Sequence, residues 1–361
     1  MIIRGFKAQN FRNIEKCSLE FDDKVNLLLG ENAQGKTNAI EGIYLFARGK
    51  SFRRADEKDL ARFGSEGFNI SINYEDKDGK NTLEYAVYGR ERRRKKNGYK
   101  ISRASEMIGS FRAVLFSPDD LTLVKGGPEE RRDFLNVAIS QCYPSYVSVY
   151  ADYKKALENR NSILKNASKG LYFDESELFA WSESIAEYAS CIYVMRLEYL
   201  KKLEVYAKRF MNDISDGKEI LSFYYKSDIG EECTEREKVK AEYEKIFKEN
   251  LVKEKNAGVS LYGPHREDIV IKINGNDSRV FSSQGQQRSI VLSLKMAEGE
   301  VSKELFSEYP VFLFDDVLSE LDEKRQNFVL DGMKDRQIII TSCERLRTAG
   351  KVIEVTGGMF G

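Results

Sequence analysis

The sequence predicts an α/β fold: a mixed sheet with an antiparallel β subdomain, interrupted by an inserted α-helical arm. Strand and helix patterns alternate at both ends of the chain, two-residue alternation fills the stretch 68–116, and stripes of helical spacing fill the middle. Alternation of strands and helices favours a largely parallel sheet, whereas dense two-residue alternation favours hairpins. The three patterns together therefore predict two kinds of sheet and a helical insertion.

The first part of the chain reads as strand, glycine loop and helix. The apolar run Val25–Leu29 is typical of a buried strand, and apolar residues at helical spacing follow over 37–47. Within 68–116, the Asp-Gly at 78–79 and the Asn-Gly at 97–98 are turn signals. We therefore expect antiparallel hairpins between the first helix and the arm.

The middle of the chain predicts the arm. Apolar residues recur at steps of three and four over 146–164 and again over 178–206, and Asp174 with Glu177 looks like a capping box that starts the second helix. These two helices should fold back on each other as an antiparallel hairpin, joined by a third over 236–255. The simplest interpretation of the stripes is the core of a small bundle.

Strand and helix alternation resumes after residue 258 and completes the sheet. The predicted elements are strands at 269–273, 280–282, 311–314 and 337–341, with helices at 286–305 and 323–333. The predicted domains are a head, residues 1–135 with 256–361, and an arm, residues 136–255.

Composition narrows the classes of function. The chain has 361 residues, enough to bury a core without disulfides, and its 58 Lys and Arg balance 58 Asp and Glu. A nucleic-acid surface would therefore be a local patch. The five cysteines form no Cys-x-x-Cys pair, which favours the cytoplasm. No stretch approaches the roughly 18 apolar residues of a membrane span, and the N-terminus lacks a signal-peptide pattern, so no membrane partner is expected.

The glycine loop carries the strongest chemical signal. Its sequence GENAQGKT satisfies G-x-x-x-x-G-K-[ST] between a predicted strand and a predicted helix. Such a loop turns its backbone N–H groups toward phosphates, and the helix adds the positive end of its dipole. Lys36 would contact the β and γ phosphates of ATP, and Thr37 would ligate Mg²⁺. The predicted nucleotide ligands are Gly30, Glu31, Asn32, Ala33, Gln34, Gly35, Lys36 and Thr37.

The second signal is the apolar strand at 311–314, which ends in Asp315 and Asp316. Nucleotides bind at the carboxyl edge of open α/β sheets, beside such strand ends. Asp315 would bind Mg²⁺ through water, and Asp316 would orient or deprotonate the attacking water. Lys36, Asp315 and Asp316 are therefore the predicted catalytic residues of an ATPase.

The third signal is the segment 282–288, SSQGQQR, which opens a predicted helix. Its hydroxyl, small backbone and helix dipole suit a phosphate. The segment resembles the LSGGQ signature motif of the ABC ATPase superfamily, which meets the γ-phosphate held by a partner subunit. The resemblance implies that Ser283, Gly285 and Gln286 bind nucleotide across a dimer, and residues 317–322 look like the D-loop of the same interface.

The chain departs from that superfamily in two places. Where a histidine normally follows the last strand, this chain has Thr341, Ser342 and Cys343, so Thr341 or Ser342 would have to substitute through a hydroxyl. Asp316 stands where most members have glutamate. Both departures favour slow, switch-like hydrolysis. The single histidine, His265, is expected to brace a turn beside Pro264.

Ordered motifs along most of the chain resemble the RecF family of bacterial recombination mediators. They are QNFRNI at 9–14, GENAQGKTN at 30–38, FSPDDL at 116–121, GGP at 126–128, RRDFL at 131–135, YGPHR at 262–266, SQGQQR at 283–288, DD at 315–316 and SELD at 319–322. The resemblance implies an ABC-type head like that of the structural-maintenance-of-chromosomes (SMC) ATPases, with a shorter arm. Arg12 and Asn13 match a segment that touches nucleotide in related heads.

The same resemblance implies a function in recombinational repair and replication-fork maintenance. It implies ATP-driven homodimerisation on double-stranded and single-stranded or gapped DNA, weak DNA-stimulated ATP hydrolysis, and help in loading RecA together with RecR- and RecO-type proteins. The basic run Arg92, Arg93, Arg94, Lys95 and Lys96 is a candidate DNA contact, since it would neutralise several phosphates irrespective of base sequence. A solvated hairpin tip explains the same run equally well.

Three alternatives stay open from the sequence alone. A plain P-loop enzyme such as a small-molecule kinase would work as a monomer, which the segment 282–288 argues against. An ABC subunit partnered with membrane proteins would need a docking loop that the arm does not offer. A DNA-binding scaffold whose ATP site only senses nucleotide stays open because the usual histidine is missing, as does a nucleotide-sensing scaffold that does not act on DNA.

Overall fold

A computed structural model describes residues 1–230, 232–345 and 350–361 of the chain. The strands are β1 (Ile2–Phe11), β2 (Ile14–Glu20), β3 (Val25–Leu29), β4 (Gly67–Asp76), β5 (Gly79–Tyr88), β6 (Glu91–Lys96), β7 (Tyr99–Lys100), β8 (Ala113–Phe116), β9 (Leu221–Lys226), β10 (Asp268–Ile273), β11 (Asn276–Asp277), β12 (Val311–Asp315), β13 (Ile338–Ser342), β14 (Lys351–Thr356) and β15 (Met359–Phe360). The helices are α1 (Lys36–Arg48), α2 (Thr122–Lys125), α3 (Pro128–Cys142), α4 (Pro144–Ser168), α5 (Glu175–Ser215), α6 (Arg236–Glu249), α7 (Leu251–Ala257), α8 (Ser278–Phe281), α9 (Gln284–Phe306) and α10 (Glu323–Gly332).

The antiparallel β subdomain is a six-stranded sheet in the order β2-β1-β4-β5-β6-β7. The predicted hairpins are confirmed, because β4 pairs with β5, β5 with β6 and β6 with β7, all antiparallel. At the last turn Asn97 and Gly98 both adopt positive φ, at 52° and 82°. Positive φ at both central residues is what a tight two-residue hairpin turn requires.

The second six-stranded sheet has the order β15-β14-β3-β13-β12-β8. Its inner strands are parallel, and the register places Leu29 beside Ser342 and Asp315 beside Thr341. Parallel neighbours end at the same edge, so the ends of β3, β12 and β13 lie side by side. All five residues of β12 and of β13 are buried, as expected for strands covered on both faces.

Helix α1 lies between the two large sheets. Ile40, Ile43 and Phe46 are fully buried in the apolar core that both sheets share with this helix. At Gly42 an added Cβ would lie 2.5 Å from Cζ of Phe6 on β1. The close approach of helix and sheet therefore requires glycine at this position. The mixed α/β fold with an antiparallel subdomain is as predicted.

The helices predicted in the middle of the chain are largely confirmed. Helices α4 and α5 pack against each other, and Asp174 caps α5 by accepting hydrogen bonds from the N–H groups of Ser176 and Glu177. The reciprocal half of the predicted capping box does not form, because the Glu177 carboxylate accepts the indole N–H of Trp181 instead. The predicted third helix is divided into α6 and α7 at Asn250, whose side chain donates to the Ile246 carbonyl.

Two predictions about strands were wrong. Residues 280–282 do not form a strand: Asp277 caps a short helix, α8, whose Val280 and Phe281 are exposed. The strand predicted at 269–273 exists as β10, but it lies in a separate three-stranded sheet of order β11-β10-β9. Its antiparallel neighbour β9 lies between the second and third helices predicted for the arm, where no strand was predicted. Long-range pairing of this kind leaves no trace in local periodicity.

The arm packs against the head along α9. Helix α5 lies against α9, where Tyr206 donates to Glu304 at 2.9 Å and Arg209 forms an ion pair with Glu300 at 3.5 Å. Helix α9 also reaches the parallel sheet, because a Cβ at Gly299 would lie 2.3 Å from Phe312. In the part of the chain that the structure describes, no helix is both long and apolar enough to cross a membrane.

Buried Glu298 on α9 predicts a pH dependence of stability. Burial raises the pKa of its carboxyl from 4.5 to about 7, with Lys295 opposing the rise. The pKa of this carboxyl is higher in the folded than in the unfolded state. Its contribution to the free energy of unfolding is therefore greatest below about pH 4.5 and is lost as pH rises through about 7. Glu298→Gln should remove up to about 3 kcal/mol of the fall in unfolding free energy between about pH 5 and about pH 8.

Urea unfolding at the two pH values measures this difference, and Glu304→Gln on the same helix is the control. The hydrogen bond from Lys202 lowers the pKa of Glu304, so that glutamate titrates below the tested interval. An unchanged pH dependence in Glu298→Gln would contradict the prediction.

Candidate functional site

The glycine loop joins the end of β3 to the start of α1. Gly35 has φ +109° and a Cβ there would lie 2.9 Å from Oδ1 of Asn13, so both conformation and space favour glycine. At Gly30 a Cβ would lie 2.2 Å from the carbonyl oxygen of Val355 on β14. Gln34 secures the loop from the same side, because its carbonyl accepts the N–H of Gly358 at 2.8 Å. The loop is thus held as a cradle at the carboxyl edge of the sheet.

Lys36 is the buried cation of this cradle. Its side chain is 3% exposed, and its ammonium donates to the carbonyls of Gly30 at 2.6 Å and Glu31 at 3.0 Å. The described residues offer it no carboxylate within ion-pair distance. A buried charge without a counter-ion is costly, so this position suits an anionic ligand such as a polyphosphate.

Asp315 lies at the end of β12 and faces the loop. Its Oδ1 accepts hydrogen bonds from Thr37 at 2.8 Å and from Thr341 at 3.0 Å. Burial raises the pKa of the Asp315 carboxyl, and the two hydroxyl donors oppose that rise. A hydroxyl and a carboxylate in contact are hard oxygen ligands of the kind that Mg²⁺ prefers.

Asp316 follows in a left-handed conformation, with φ 53°. Its N–H donates to Oγ1 of Thr341 at 2.9 Å, and its side chain is half-buried. A non-glycine residue in this region is strained, and such strain persists where surrounding contacts impose it. The strand ends thus place Lys36, Asp315 and Asp316 in one region, as the sequence predicts.

The residues after β13 are arranged differently from expectation. The hydroxyl of Thr341 is engaged with Asp315 and Asp316, and the hydroxyl of Ser342 accepts the N–H of Glu344 at 3.0 Å. The side chain directed at the glycine loop is Cys343, whose Sγ lies 3.4 Å from Nζ of Lys36. Sequence reasoning missed Cys343, although its place directly after a strand was a usable signal.

Arg12 lies beside the loop but points back into the head. Its guanidinium forms two hydrogen bonds with the buried carboxylate of Glu41, at 2.8 and 2.6 Å, and its backbone has φ 56°. Glu41, which sequence reasoning missed, stands four residues after Thr37 within the apolar face of α1. The structure therefore places Arg12 next to the candidate site through an ion pair with α1.

Asn13 contacts the loop directly. Its Nδ2 donates to the carbonyl of Ala33 at 3.3 Å, and its Oδ1 accepts the side-chain amide of Asn38 at 2.7 Å. Glu31, Asn32 and Ala33 are exposed at the front of the loop. Asn38, another residue that sequence reasoning missed, extends the polar wall by one residue beyond Thr37.

The segment 282–288 starts α9 at the surface. Ser283 caps the helix, accepting the N–H of Gln286 at 3.2 Å while its own N–H donates to the Gln286 side chain at 2.8 Å. Ser283 and Gln284 are exposed, and Gly285 and Gln286 are half-buried. Arg325 on α10 fixes the segment by donating to the Gly285 carbonyl at 3.0 Å. The polar helix end is thus rigid and faces outward.

The basic run forms β6, and its charges are largely engaged with neighbouring side chains. Arg92 and Arg94 lie near Glu57, and Arg93 bonds Glu91 of the same strand at 2.8 Å. Lys95 lies 3.7 Å from Glu84, and Lys96 donates to Ser110 at 3.1 Å. Arg92, Arg93 and Lys95 are exposed, whereas Arg94 and Lys96 are half-buried. A polyanion would have to displace these partners.

His265 braces a turn, in agreement with expectation. Its Nδ1 lies 2.6 Å from the Tyr153 hydroxyl and its Nε2 lies 3.1 Å from the Ser260 carbonyl. Burial lowers the pKa of the imidazole to about 4. A neutral imidazole that forms hydrogen bonds with both Tyr153 and Ser260 has a structural role. His265 forms no contact with the loop 30–37 among those that the structure describes.

Comparison with known proteins places the chain in a family. The family described as RecF/RecN/SMC N terminal domain matches residues 2–357. A relative from Clostridioides difficile strain 630, named DNA replication and repair protein RecF, is 38% identical over 348 residues, covering 95% of this chain and 92% of the relative. A RecF of the same description from Staphylococcus carnosus strain TM300 is 36% identical over 344 residues, covering 95% and 93%.

Solved structures agree with the sequence comparison. The recombination mediator protein RecF-ATP of the RecFOR pathway superposes with TM-score 0.93 at 35% identity, covering 100% of this chain and 97% of that chain. The Smc head domain of Pyrococcus furiosus, bound to the C-terminal domain of ScpA, shares the fold with TM-score 0.56 at 16% identity, covering 99% and 95%. This chain belongs to the RecF family, within the group described as RecF/RecN/SMC N terminal domain.

Proposed function

We propose that this chain is an ATP-dependent DNA-binding protein of recombinational repair and replication-fork maintenance. The observation that carries the proposal is the buried ammonium of Lys36 inside a glycine cradle, which has no carboxylate partner among the described residues and lies beside the contact between Thr37 and Asp315. ATP is the ligand because the loop supplies donors for a phosphate chain, and a similar RecF is described as RecF-ATP. The nucleotide ligands are those of the sequence prediction, from Gly30 to Thr37.

Thr37 and Asp315 would hold Mg²⁺. The described residues contain no group of three or more His, Cys, Asp or Glu side chains that could hold a metal. A site with only Thr37 and Asp315 as protein ligands suits Mg²⁺, which usually keeps several waters and binds through one or two carboxylates together with phosphates. The metal would neutralise charge on the phosphates of ATP, and Lys36 would contact the same phosphates from the glycine loop.

The ATP site would be completed by a second copy of the chain. At the start of α9, Ser283 is exposed and Gly285 is half-buried. Ser283, Gly285 and Gln286 would meet the terminal phosphate held by the partner's loop. The cap is fixed by Arg325, so it is preorganised for an anion. A single copy would therefore bind ATP yet lack half of the catalytic environment.

Hydrolysis would be slow and stimulated by DNA. Asp316 would orient the attacking water, but its strained backbone and its shorter side chain, compared with glutamate, place the carboxylate less far into the site. Arg12 would act through Glu41 on α1, and Asn13 through the loop carbonyl that it contacts. Weak turnover suits a switch that stays closed on DNA while ATP is bound.

On DNA the dimer would cooperate with RecR- and RecO-type proteins and assist RecA loading at gaps in double-stranded DNA. A similar structure is described as belonging to the RecFOR pathway. Residues 1–135 with 256–361 would act as the head and residues 136–255 as an arm that moves with α9, since α5 packs along that helix. A protein that acts on chromosomal DNA in this way would be located in the cytoplasm.

The oligomeric state with ATP and Mg²⁺ tests the proposal. The native chain should form a dimer, Lys36→Met should lose nucleotide or the response to it, and Ser283→Arg should bind ATP yet stay monomeric. The difference arises because Lys36 acts on the copy's own nucleotide and Ser283 on the partner's. Sedimentation velocity measures the mass, and nucleotide binding is followed by equilibrium dialysis. A Ser283→Arg chain that dimerises normally would contradict the composite site.

The salt dependence of DNA binding tests the basic run. Arg93→Gln with Lys95→Gln should lower the slope of log K against log salt by at most about 2, one unit for each lost phosphate contact. Lys238→Gln with Lys245→Gln, on α6 of the arm, is the matched control, because both lysines also pair with nearby carboxylates. Equal slopes in the two variants would exclude β6 as a DNA contact.

A further inference from the structure

A cavity of about 520 Å³ lies between α1, α3 and α9, beside the segment that follows β8. Tyr44 and Arg48 of α1, Phe134 of α3 and Glu298 of α9 are among the residues that line it. Of the described residues that line the cavity, none belongs to the glycine loop 30–37 or to the segment 282–288. The cavity is therefore a separate place in the fold from the candidate nucleotide site.

Glu298 brings a buried carboxyl without a hydrogen-bond partner to this cavity. The residue is 5% exposed, and its Oε2 accepts no hydrogen bond from a residue that the structure describes. Lys295, three residues before it on α9, forms its ion pair with Asp120 instead, at 3.2 Å. A buried carboxylate without a donor is costly, so this position suits a ligand that brings a donor of its own.

The remaining charges of the cavity are largely compensated within the chain. Three lining carboxylates form ion pairs with three lining cations: Asp120 with Lys295, Glu130 with Arg54, and Asp133 with Arg48. The fourth lining cation, Arg53, lies 3.6 Å from Glu41 of α1. For the other two lining carboxylates, buried Glu298 and exposed Asp119, the described residues provide no ion pair. The uncompensated charge of the cavity is therefore negative and lies at two places.

The walls of the cavity favour an organic cation over a metal ion. In the part of the chain that the structure describes, no three His, Cys, Asp or Glu side chains are grouped so as to hold a metal. Phe52, Leu123 and Val137 contribute apolar surface, against which an aliphatic chain would be buried. Apolar walls with a few charged groups are typical of sites for small organic ligands.

We propose that this cavity binds a short aliphatic diamine, with one ammonium group donating to Glu298 and the other lying beside Asp119. The buried ammonium supplies the donor that Glu298 lacks, and the exposed one contributes less, because solvent screens ion pairs at the surface. The aliphatic chain between them packs against the apolar wall. A diamine held in this way contacts α1, α3 and α9 together. The inference goes beyond the proposed function and requires no nucleotide.

The pH dependence of diamine binding to the native chain is a test that needs no variant. Burial raises the pKa of the Glu298 carboxyl to about 7, so its ionised fraction rises from about one tenth at pH 6 to about nine tenths at pH 8. An ammonium ligand binds the ionised form, and the affinity should therefore rise by about tenfold over this interval. Equal affinity at pH 6 and pH 8 overturns the assignment of Glu298.

The other groups that face Glu298 keep their charge between pH 6 and pH 8. Burial raises the pKa of three of them far above this interval: Tyr44 of α1, Cys142 of α3 and Tyr199 of α5. Lys295 stays protonated, because Asp120 and Glu298 raise its pKa against the effect of burial. The amino groups of the ligand also stay protonated, as that of lysine does. The expected change in affinity therefore reports Glu298.

Two variants separate the buried carboxylate from the exposed one. Glu298→Gln should weaken diamine binding by at least about tenfold, since it removes the acceptor of a charge-assisted hydrogen bond. Asp119→Asn should weaken it by about two- to fivefold. Glu304→Gln on the same helix is the matched control, because Glu304 already bonds Lys202 and Tyr206 and does not line the cavity. Unchanged affinity in a folded Glu298→Gln chain contradicts the proposal.

Isothermal titration calorimetry of the full chain measures these affinities at constant ionic strength. The probes are diamines from 1,3-diaminopropane to 1,6-diaminohexane, with 1-aminobutane and 1,4-butanediol as ligands that carry one ammonium group and none. We expect a diamine to bind about two- to fivefold more tightly than 1-aminobutane, and the diol not to bind. If the native chain binds no diamine, or binds the diol equally well, the proposal is wrong, while the proposed function stands.

Discussion

The hydrogen bonds that Asp315 accepts hold the candidate site together. Thr37 opens α1 and Thr341 lies at the end of β13, yet both donate to the same carboxylate oxygen, at 2.8 and 3.0 Å. The contact is possible because β12 and β13 are parallel neighbours that end at one edge, with β3 beside them. Glycine loop, strand end and adjacent strand are therefore positioned by one buried group, and displacing it would disturb all three.

The outward-facing end of α9 is coupled to the arm through packing. Helix α9 is buried along most of its length between α5 and the parallel sheet, while its N-terminal residues Ser283 and Gln284 stay exposed. Helix α5 is also tied to the chain that precedes α9, because buried Arg196 on α5 donates to the Pro264 carbonyl at 2.8 Å. The exposed start of α9 is thus connected to the central helices through the packing of α5 on α9.

Local patterns in the sequence were enough to predict the elements that carry the candidate site. The loop 30–37, the strand ending at Asp315 and the helix opened by Ser283 each carry their signal within a few residues, and the structure has each of them where expected. What the sequence did not reveal depends on contacts between distant residues. Strand β9 pairs with β10 across α6 and α7, Arg12 reaches Glu41, and Cys343 reaches Lys36, and none of these distances is encoded in spacing.

A composite site, with triphosphate held by one copy's loop and closed by the other copy's cap, is tested most directly by mixing two inactive chains. Lys36→Met keeps an intact cap and Ser283→Arg keeps an intact loop, so a mixed dimer contains one complete site. The mixture should therefore regain ATP hydrolysis that neither variant shows alone. If two folded variants stay as inactive together as they are apart, while the native chain hydrolyses ATP, the site lies within a single copy.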